Sequence, residues 1–481
     1  MPRIIWLAIA AALLSTAASC GHDLSSPSAE NDILFGLEQS GDIAAQLAAV
    51  PGLDVVEVPD QAPAGYRFFL LSYSQPVDHD APAGAHFVQQ MALLHRDSDA
   101  PMVFEPLGYS LYAPHVAELT ELLGANQLTV EHRYFGSSRP EPATWHHLTI
   151  DQAAADHHRV VQAIRPLYSG AWVSTGVSKG GMTAMYHRRF YPDDVDATVP
   201  YVAPLSFGPE DPRYQPFLDH LGDADCRQRI RDYQREALSR RDSLVPILEA
   251  LAAQYGTGFN LIRGGADAAL DVTVGEYQFT FWQYGPGSSA CATIPGVDAD
   301  DLAMLEPIMQ NGFATTDLGV TEYRPYYYQA MTQLGYPRID VSHLADLLTV
   351  DPNDPTLYTD GLPQPAFDWW AMFDNALWAF FEAESILYLY GDSDPWTAAA
   401  FPIHPLGKRD THTFTVAQGN HQARILDLDP AERDQALTIL ESWTGVAIDT
   451  AAITQARRAR PRAHALRDGW GQHRQPPRLS L

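Results

Sequence analysis

Cysteine is nearly absent from this 481-residue chain: three occur, at positions 20, 226 and 291. So few exclude a small scaffold stapled by disulfides, and no Cys/His spacing of the zinc-binding kind occurs, so neither a metal nor another cofactor is expected. Basic charge is scarce as well. Against 59 Asp and Glu stand 31 Lys and Arg, a formal net charge of −28. That balance argues against a nucleic-acid partner and would draw in cationic ligands. Long apolar runs are missing too: residues 4–14 are apolar but too few to span a membrane, and no second such stretch follows. Internal repeats are also lacking. What remains is length enough for one large domain with insertions, or for two ordinary ones, with ample apolar residues for a core.

The two ends read as something other than fold. Arg3, the apolar stretch after it and the small residues Ser15, Thr16, Ala17, Ala18 and Ser19 have the order of a secretory signal peptide over residues 1–19. Ala17-Ala18-Ser19-Cys20 resembles a lipobox with alanine where leucine is usual. Lipid attachment at Cys20 is therefore expected, giving an exported envelope protein anchored to the membrane; ordinary cleavage with free secretion is the alternative. Residues 20–50 read as a flexible tether. In an oxidising compartment Cys226 and Cys291 are expected to pair, the alternative being two separately buried thiols. At the far end Arg457, Arg458, Arg460, Arg462, Arg467, Arg474 and Arg478 face one acid, Asp468. With Pro461, Pro476 and Pro477 among them, residues 447–481 read as a disordered tail whose arginines can touch anionic lipid.

Between these ends the pattern is that of alternating strands and helices. Runs at 68–72, 88–94, 102–105 and 127–131 read as strands, and a fifth at 171–175 is separated from them by a helical pattern over 150–167 behind Thr149. A helical crossover between apolar strands builds a parallel sheet. One more strand is expected at 197–203. From Leu205 to Phe367 the strand rhythm stops and helix-like, proline-containing sequence takes over. Strands resume at 385–390 and 412–417, and a last helix is expected over 430–443 behind Asp429.

The chemistry begins at Gly176-Val177-Ser178-Lys179-Gly180, which follows the fifth strand and opens a helix. In an α/β-hydrolase this spacing forms a sharp elbow that exposes a nucleophilic serine, the glycines letting the backbone close without Cβ clashes. A serine hydroxyl needs an imidazole to take its proton and a carboxylate to orient that imidazole. In this fold they follow in the order acid, then histidine. The penultimate strand runs into Gly391-Asp392-Ser393-Asp394-Pro395-Trp396. Asp394 is favoured because Pro395 fixes the turn behind it, with Asp392 as the rival. The last strand runs into Gly419-Asn420-His421, and His421 is favoured over His404, too close to the acid, and His412, inside a strand. The expected architecture is an α/β-hydrolase core over 51–204 and 371–446, with a helical lid over 205–370 inserted after the sixth core strand.

The stretch Glu131-His132-Arg133-Tyr134-Phe135-Gly136 ends a strand in dense polarity that must find partners. A buried Glu131–Arg133 pair bracing the sheet is one reading; contact with substrate is the other. For the oxyanion hole the candidates are the N–H of Lys179, Tyr134 or Phe135 near the sheet's C-terminal edge, and Gly108 or Tyr109 on the loop after the third strand.

EHRYFGSSRP, TGVSKGGM, YGDSDPW and GNH, with QPVDH at 75–79, together resemble the secreted peptidases of family S37, the PS-10 type of prolyl tri- and tetrapeptidyl aminopeptidases, and more distantly family S28. Lys179 is the S37 form, since S28 enzymes usually have tyrosine there. The likeness runs from about Gln75 to His421. It implies Ser178 as nucleophile, Asp394 as orienting acid, His421 as base and a helical lid. It also implies cleavage after proline in short peptides, releasing two or three residues from a free N-terminus. Peptides are thus the expected partners, and a monomer is the default. Such a substrate calls for rigid aromatic walls and a carboxylate for the α-amino group. Trp369, Trp370 and Trp396 are the aromatic candidates, though a stripe at helical spacing is equally a core pattern. Glu105 is the carboxylate candidate, with Glu131 and Arg133 beside it. Two other readings remain: an esterase on the same three residues, and an inert surface binding lipoprotein.

Overall fold

The computed structural model describes residues 41–285, 287–404 and 409–450. The expected signal segment, Cys20, most of the tether and the arginine-rich end from 451 lie outside them. Nine strands form one sheet: β1 (Leu53–Glu57), β2 (Arg67–Pro76), β3 (His86–His95), β4 (Met102–Pro106), β5 (Asn126–Val130), β6 (Trp172–Val177), β7 (Ala197–Tyr201), β8 (Ile386–Gly391) and β9 (Thr411–Val416). Their order is β1-β2-β3-β5-β4-β6-β7-β8-β9. The first three pair antiparallel and join β5 antiparallel; from β5 to β9 every pairing is parallel.

Strand periodicity sorts the core into layers. On β8, Leu387 and Leu389 join one apolar cluster while Ile386, Tyr388 and Tyr390 join the other. On β4, Val103 points one way and Met102 and Phe104 the other. A two-residue period with both faces apolar is what a parallel sheet covered by helices requires. Helix α1 (Ile43–Ala48) and α3 (Ile150–Ile164) bury Ile43, Leu47, Val160, Val161 and Ile164 on one side; α2 (Glu118–Leu123) and the last helix bury Leu119, Leu122 and Leu437 on the other. Helix α4 (Lys179–Phe190) follows β6 directly.

Between β7 and β8 stand α5 (Tyr214–Leu218), α6 (Ala224–Ser239), α7 (Arg241–Gln254), α8 (Gly265–Gly275), α9 (Tyr277–Tyr284), α10 (Asp301–Thr315) and α11 (Asp317–Gln329). They enclose an apolar cluster of their own that includes Tyr233, Leu270, Trp282 and Met304. Cys226 on α6 is bonded to Cys291, their Cα atoms 5.3 Å apart across a sequence separation of 65. Helices α12 (Trp369–Phe381) and α13 (Pro430–Thr444) complete the layers.

Two expectations are corrected. The insertion follows the seventh strand rather than the sixth, because β1 went unforeseen: it is an edge strand that buries Leu53 alone and shows no apolar run. The tether does not extend to residue 50. Asp42 accepts a hydrogen bond from the Ala44 N–H as N-cap of α1, and Ile43 and Leu47 are packed into the core.

Candidate active site

Ser178 lies between β6 and α4 with φ 56° and ψ −124°, a left-side conformation that few residues with a side chain adopt. Its N–H donates to the Tyr201 carbonyl at 2.9 Å and its carbonyl accepts from Met182 at 3.0 Å, so the turn is held from both sides. A Cβ on Gly176 would overlap the Gly180 backbone, so only glycine lets strand and helix approach this closely. The strained elbow leaves the serine half-exposed at the C-terminal end of a central parallel strand.

Opposite it, Asp394 follows β8 and His421 follows β9. His421 Nδ1 and Asp394 Oδ2 are 2.7 Å apart. Asp394 is fully buried, and its other oxygen accepts from the Trp396 N–H at 3.1 Å, which fixes the carboxylate's rotation. Asp392, by contrast, is exposed and bonded to Ser393 Oγ. His412 pairs with Asp410 on the surface, away from the site. His421 Nε2 has no hydrogen-bond partner among the described residues, and Ser178 and His421 line the same cavity. A hydroxyl, a carboxylate-held imidazole with one free nitrogen and a shared cavity are the parts that acyl transfer uses.

The lid reaches the histidine directly. The His421 N–H donates to the Gln283 carbonyl at 3.0 Å, and Asn420 Nδ2 donates to the Gly285 carbonyl at 3.0 Å. Tyr284 and Trp396 flank the imidazole at 6.1 and 6.2 Å between ring centres.

Of the oxyanion candidates, Lys179, Gly108 and Tyr109 line the cavity. Lys179 is the first residue of α4, where a backbone N–H has no intrahelical acceptor. A Cβ on Gly108 would overlap the Lys179 side chain, so this loop sits hard against the elbow. The amine of Lys179, buried, donates to the Gly108 carbonyl at 2.7 Å between the rings of Tyr109 and Phe135. Burial pushes that amine well below the usual lysine range. Tyr134 and Phe135 are excluded as donors. The Tyr134 N–H is taken by the Ser138 carbonyl, its hydroxyl by the Thr144 carbonyl, and the Phe135 N–H by the His132 carbonyl.

Glu131 and Arg133 do not face the cavity, and they do not pair with each other. Glu131 accepts from the N–H groups of Leu111, Ser137 and Ser138 and from Ser138 Oγ, pinning the loop beyond β5. Arg133, fully buried, makes a two-pronged contact with Asp156 at 2.7 and 2.8 Å and donates to the carbonyls of Val77, Pro76 and His147. Burial opposes the charge on Asp156, but Arg133 beside it holds the carboxyl below its usual value. His79 and Gln75 of the QPVDH stretch also reach Asp156, so the two motifs converge on one brace.

The cavity, about 1490 Å³, lies between core and lid. Glu105 and Trp396 line it. Glu105 already has a partner, His115 Nε2 at 2.7 Å; burial opposes the charge on His115, yet this carboxylate keeps the imidazole above its usual value. Trp369 and Trp370 do not line it. They are 66% and 62% exposed, because α12 turns Ala371, Met372, Ala376, Trp378 and Ala379 to the core and leaves Trp369, Trp370, Phe373 and Phe381 toward solvent. The aromatic walls come instead from Phe279, Tyr323, Tyr326, Tyr327, Tyr336 and Tyr358. The tyrosine run at 326–328 was the visible signal for that wall.

Fold and site together define a serine hydrolase of the α/β-hydrolase class. The profile of the PS-10 peptidase S37 family matches residues 38–475, and the chain belongs to that family of serine peptidases. It is 39% identical over 415 residues to the prolyl tri/tetrapeptidyl aminopeptidase of Streptomyces mobaraensis, covering 84% of this chain and 86% of that one. Solved structures similar to it include epoxide hydrolase A from Mycobacterium thermoresistibile, at TM-score 0.33 and 14% identity over 82% of this chain and 100% of that one. Proline iminopeptidase from Mycobacterium smegmatis overlaps at TM-score 0.34 and 12% identity, over 81% and 98%.

Proposed function

We propose that the protein is an exported aminopeptidase that releases short peptides from free N-termini, cutting after proline, through an acyl-enzyme on Ser178. His421 Nε2 takes the proton of Ser178 Oγ as Oγ attacks the scissile carbonyl, and Asp394 holds the imidazole in the orientation and tautomer this requires. The N–H of Lys179 and one N–H from Gly108 or Tyr109 receive the oxyanion. His421 then protonates the leaving amine, and water repeats the sequence to free the peptide acid. The observation that carries this reading is the 2.7 Å contact of His421 Nδ1 with Asp394, with Nε2 left free in the cavity Ser178 lines. The proline preference is supported by the aromatic walls, which suit a flat, rigid ring, and by what the Streptomyces relative is called. Export, with anchoring through Cys20, rests on the signal-like sequence of residues 1–20.

The test pairs a fluorophosphonate probe with chromogenic tripeptides ending in proline. Wild type should be labelled at Ser178 and cleave free substrates far faster than N-acetylated ones; Ser178→Ala should do neither, and Asp394→Asn should lose about 10⁴ in kcat. Labelling without peptide cleavage, with turnover of short acyl esters, would overturn the peptidase reading.

A further inference from the structure

The cavity holds more negative charge than acyl transfer uses: Glu105, Glu276, Glu306 and Glu322 all line it. Glu105 is paired with His115. Glu306 is exposed. Glu322 accepts from Ser110 Oγ at 2.5 Å and from the hydroxyl of the exposed Tyr112 at 3.4 Å. Glu276 differs from these three. It sits at the junction of α8 and α9, facing the cavity, with Tyr326, Tyr327, Tyr336 and Tyr358 near enough to feel its charge. Tyr336 donates to its Oε1 at 2.9 Å, and no Lys, Arg or His among the described residues forms an ion pair with it. Burial pushes its carboxyl up to about 7. An enclosed carboxylate without a cation costs stability, and an ammonium group entering beside it would relieve that cost while gaining the faces of the surrounding rings.

Its distance from the chemistry is set by one helix. Glu276, Phe279, Thr280, Gln283 and Tyr284 line the cavity at the i, i+3, i+4, i+7 and i+8 spacing of a single helical face. The far end of this stripe is the Gln283 carbonyl, bonded to the His421 N–H. Seven residues of helix separate Glu276 from that point, a rise of roughly 10 Å. Three residues of extended peptide also span roughly 10 Å.

We propose that Glu276 binds the α-ammonium group of the substrate and, being held at a fixed distance from His421 by α9, measures three residues to the scissile bond. This deepens the aminopeptidase reading and rests on it. A dipeptidyl substrate leaves its ammonium short of the carboxylate among apolar rings; a fourth residue must bulge to keep the contact.

The experiment uses the full chain with p-nitroanilides of two, three and four residues ending in proline, each free and N-acetylated, together with the labelling rate of the fluorophosphonate probe. Wild type should prefer the free three-residue substrate. Glu276→Gln should lose about 10- to 100-fold in kcat/KM on it, mostly through KM, while acetylated substrates and the probe rate stay within about twofold of wild type. A Glu276→Gln enzyme that keeps its preference for free or for three-residue substrates overturns the proposal. Tyr336→Phe removes one hydrogen bond and keeps the charge; it should raise KM for the free substrate several-fold and leave that for the acetylated one, and an unchanged KM counts against the anchor even where Glu276→Gln fails to fold. Wild type that cleaves free and acetylated peptides alike overturns the aminopeptidase reading itself, a result visible before any variant is made.

Discussion

In the proposed mechanism Lys179 has two separate connections to the reaction. Its backbone N–H is positioned by being first in α4, and its amine clamps the Gly108 loop against the elbow. Sequence reasoning valued the N–H alone, since nothing in TGVSKGG tells where a lysine side chain will lie. Replacing Lys179 by Met keeps the bulk and removes the clamp, leaving the Gly108 carbonyl without its donor. We expect kcat to fall about tenfold to a hundredfold with KM little changed, measured by steady-state kinetics, because one oxyanion contact loses its fixed position. Glu276 supplies a second test at this scale. Its folded carboxyl titrates near 7, above its unfolded value, so its contribution to stability is complete below the unfolded value and is lost as pH rises through about 7. The surrounding tyrosines are shifted upward and stay neutral across that window. Between pH 5 and pH 8 the Tm of wild type should therefore fall relative to that of Glu276→Gln.

The elements differ in how openly they announce themselves. Strands β2 to β9 stand out as apolar or alternating runs, and the elbow, Asp394 and His421 because each follows such a strand within a few residues. β1 is hidden by its edge position. Helix α12 misled for a different reason: Trp369, Trp370 and Phe373 fall at helical spacing, but so do Ala371, Met372, Trp378 and Ala379 on the buried face, and periodicity alone does not say which face turns inward. The polar end of β5 was conspicuous, yet Arg133 finds its partner on α3, at Asp156, through a contact that no local pattern encodes. With both groups fully buried, Arg133→Met takes the guanidinium from the Asp156 carboxylate and leaves it His79 alone. It should cost about 3–5 kcal/mol in denaturant unfolding, whereas breaking the exposed pair Arg235–Asp346 the same way should leave the unfolding midpoint nearly unchanged.

At the scale of the whole molecule, the lid is both a roof and a support. Its own apolar core and the Cys226–Cys291 bond make it a stiff body, and α9 ends on the loop that carries His421. A crosslink closing a loop of this length restricts the unfolded chain by about 4 kcal/mol. A variant with both cysteines changed to serine should therefore unfold earlier in denaturant by about that amount. Below its transition, peptide turnover should decline more than probe labelling, since the ruler loosens before the elbow does.

Because Gln283 and Gly285 are bonded to the segment that bears His421, lifting the lid away from that end would break both bonds. A chain end slender enough to thread lengthwise between core and lid would leave both in place. A folded protein presents no such end except a frayed terminus, so its compact body stays outside. Restraint of this kind needs no inhibitor: the architecture that aligns the imidazole also acts as a sieve, letting the enzyme remain fully armed among intact neighbours.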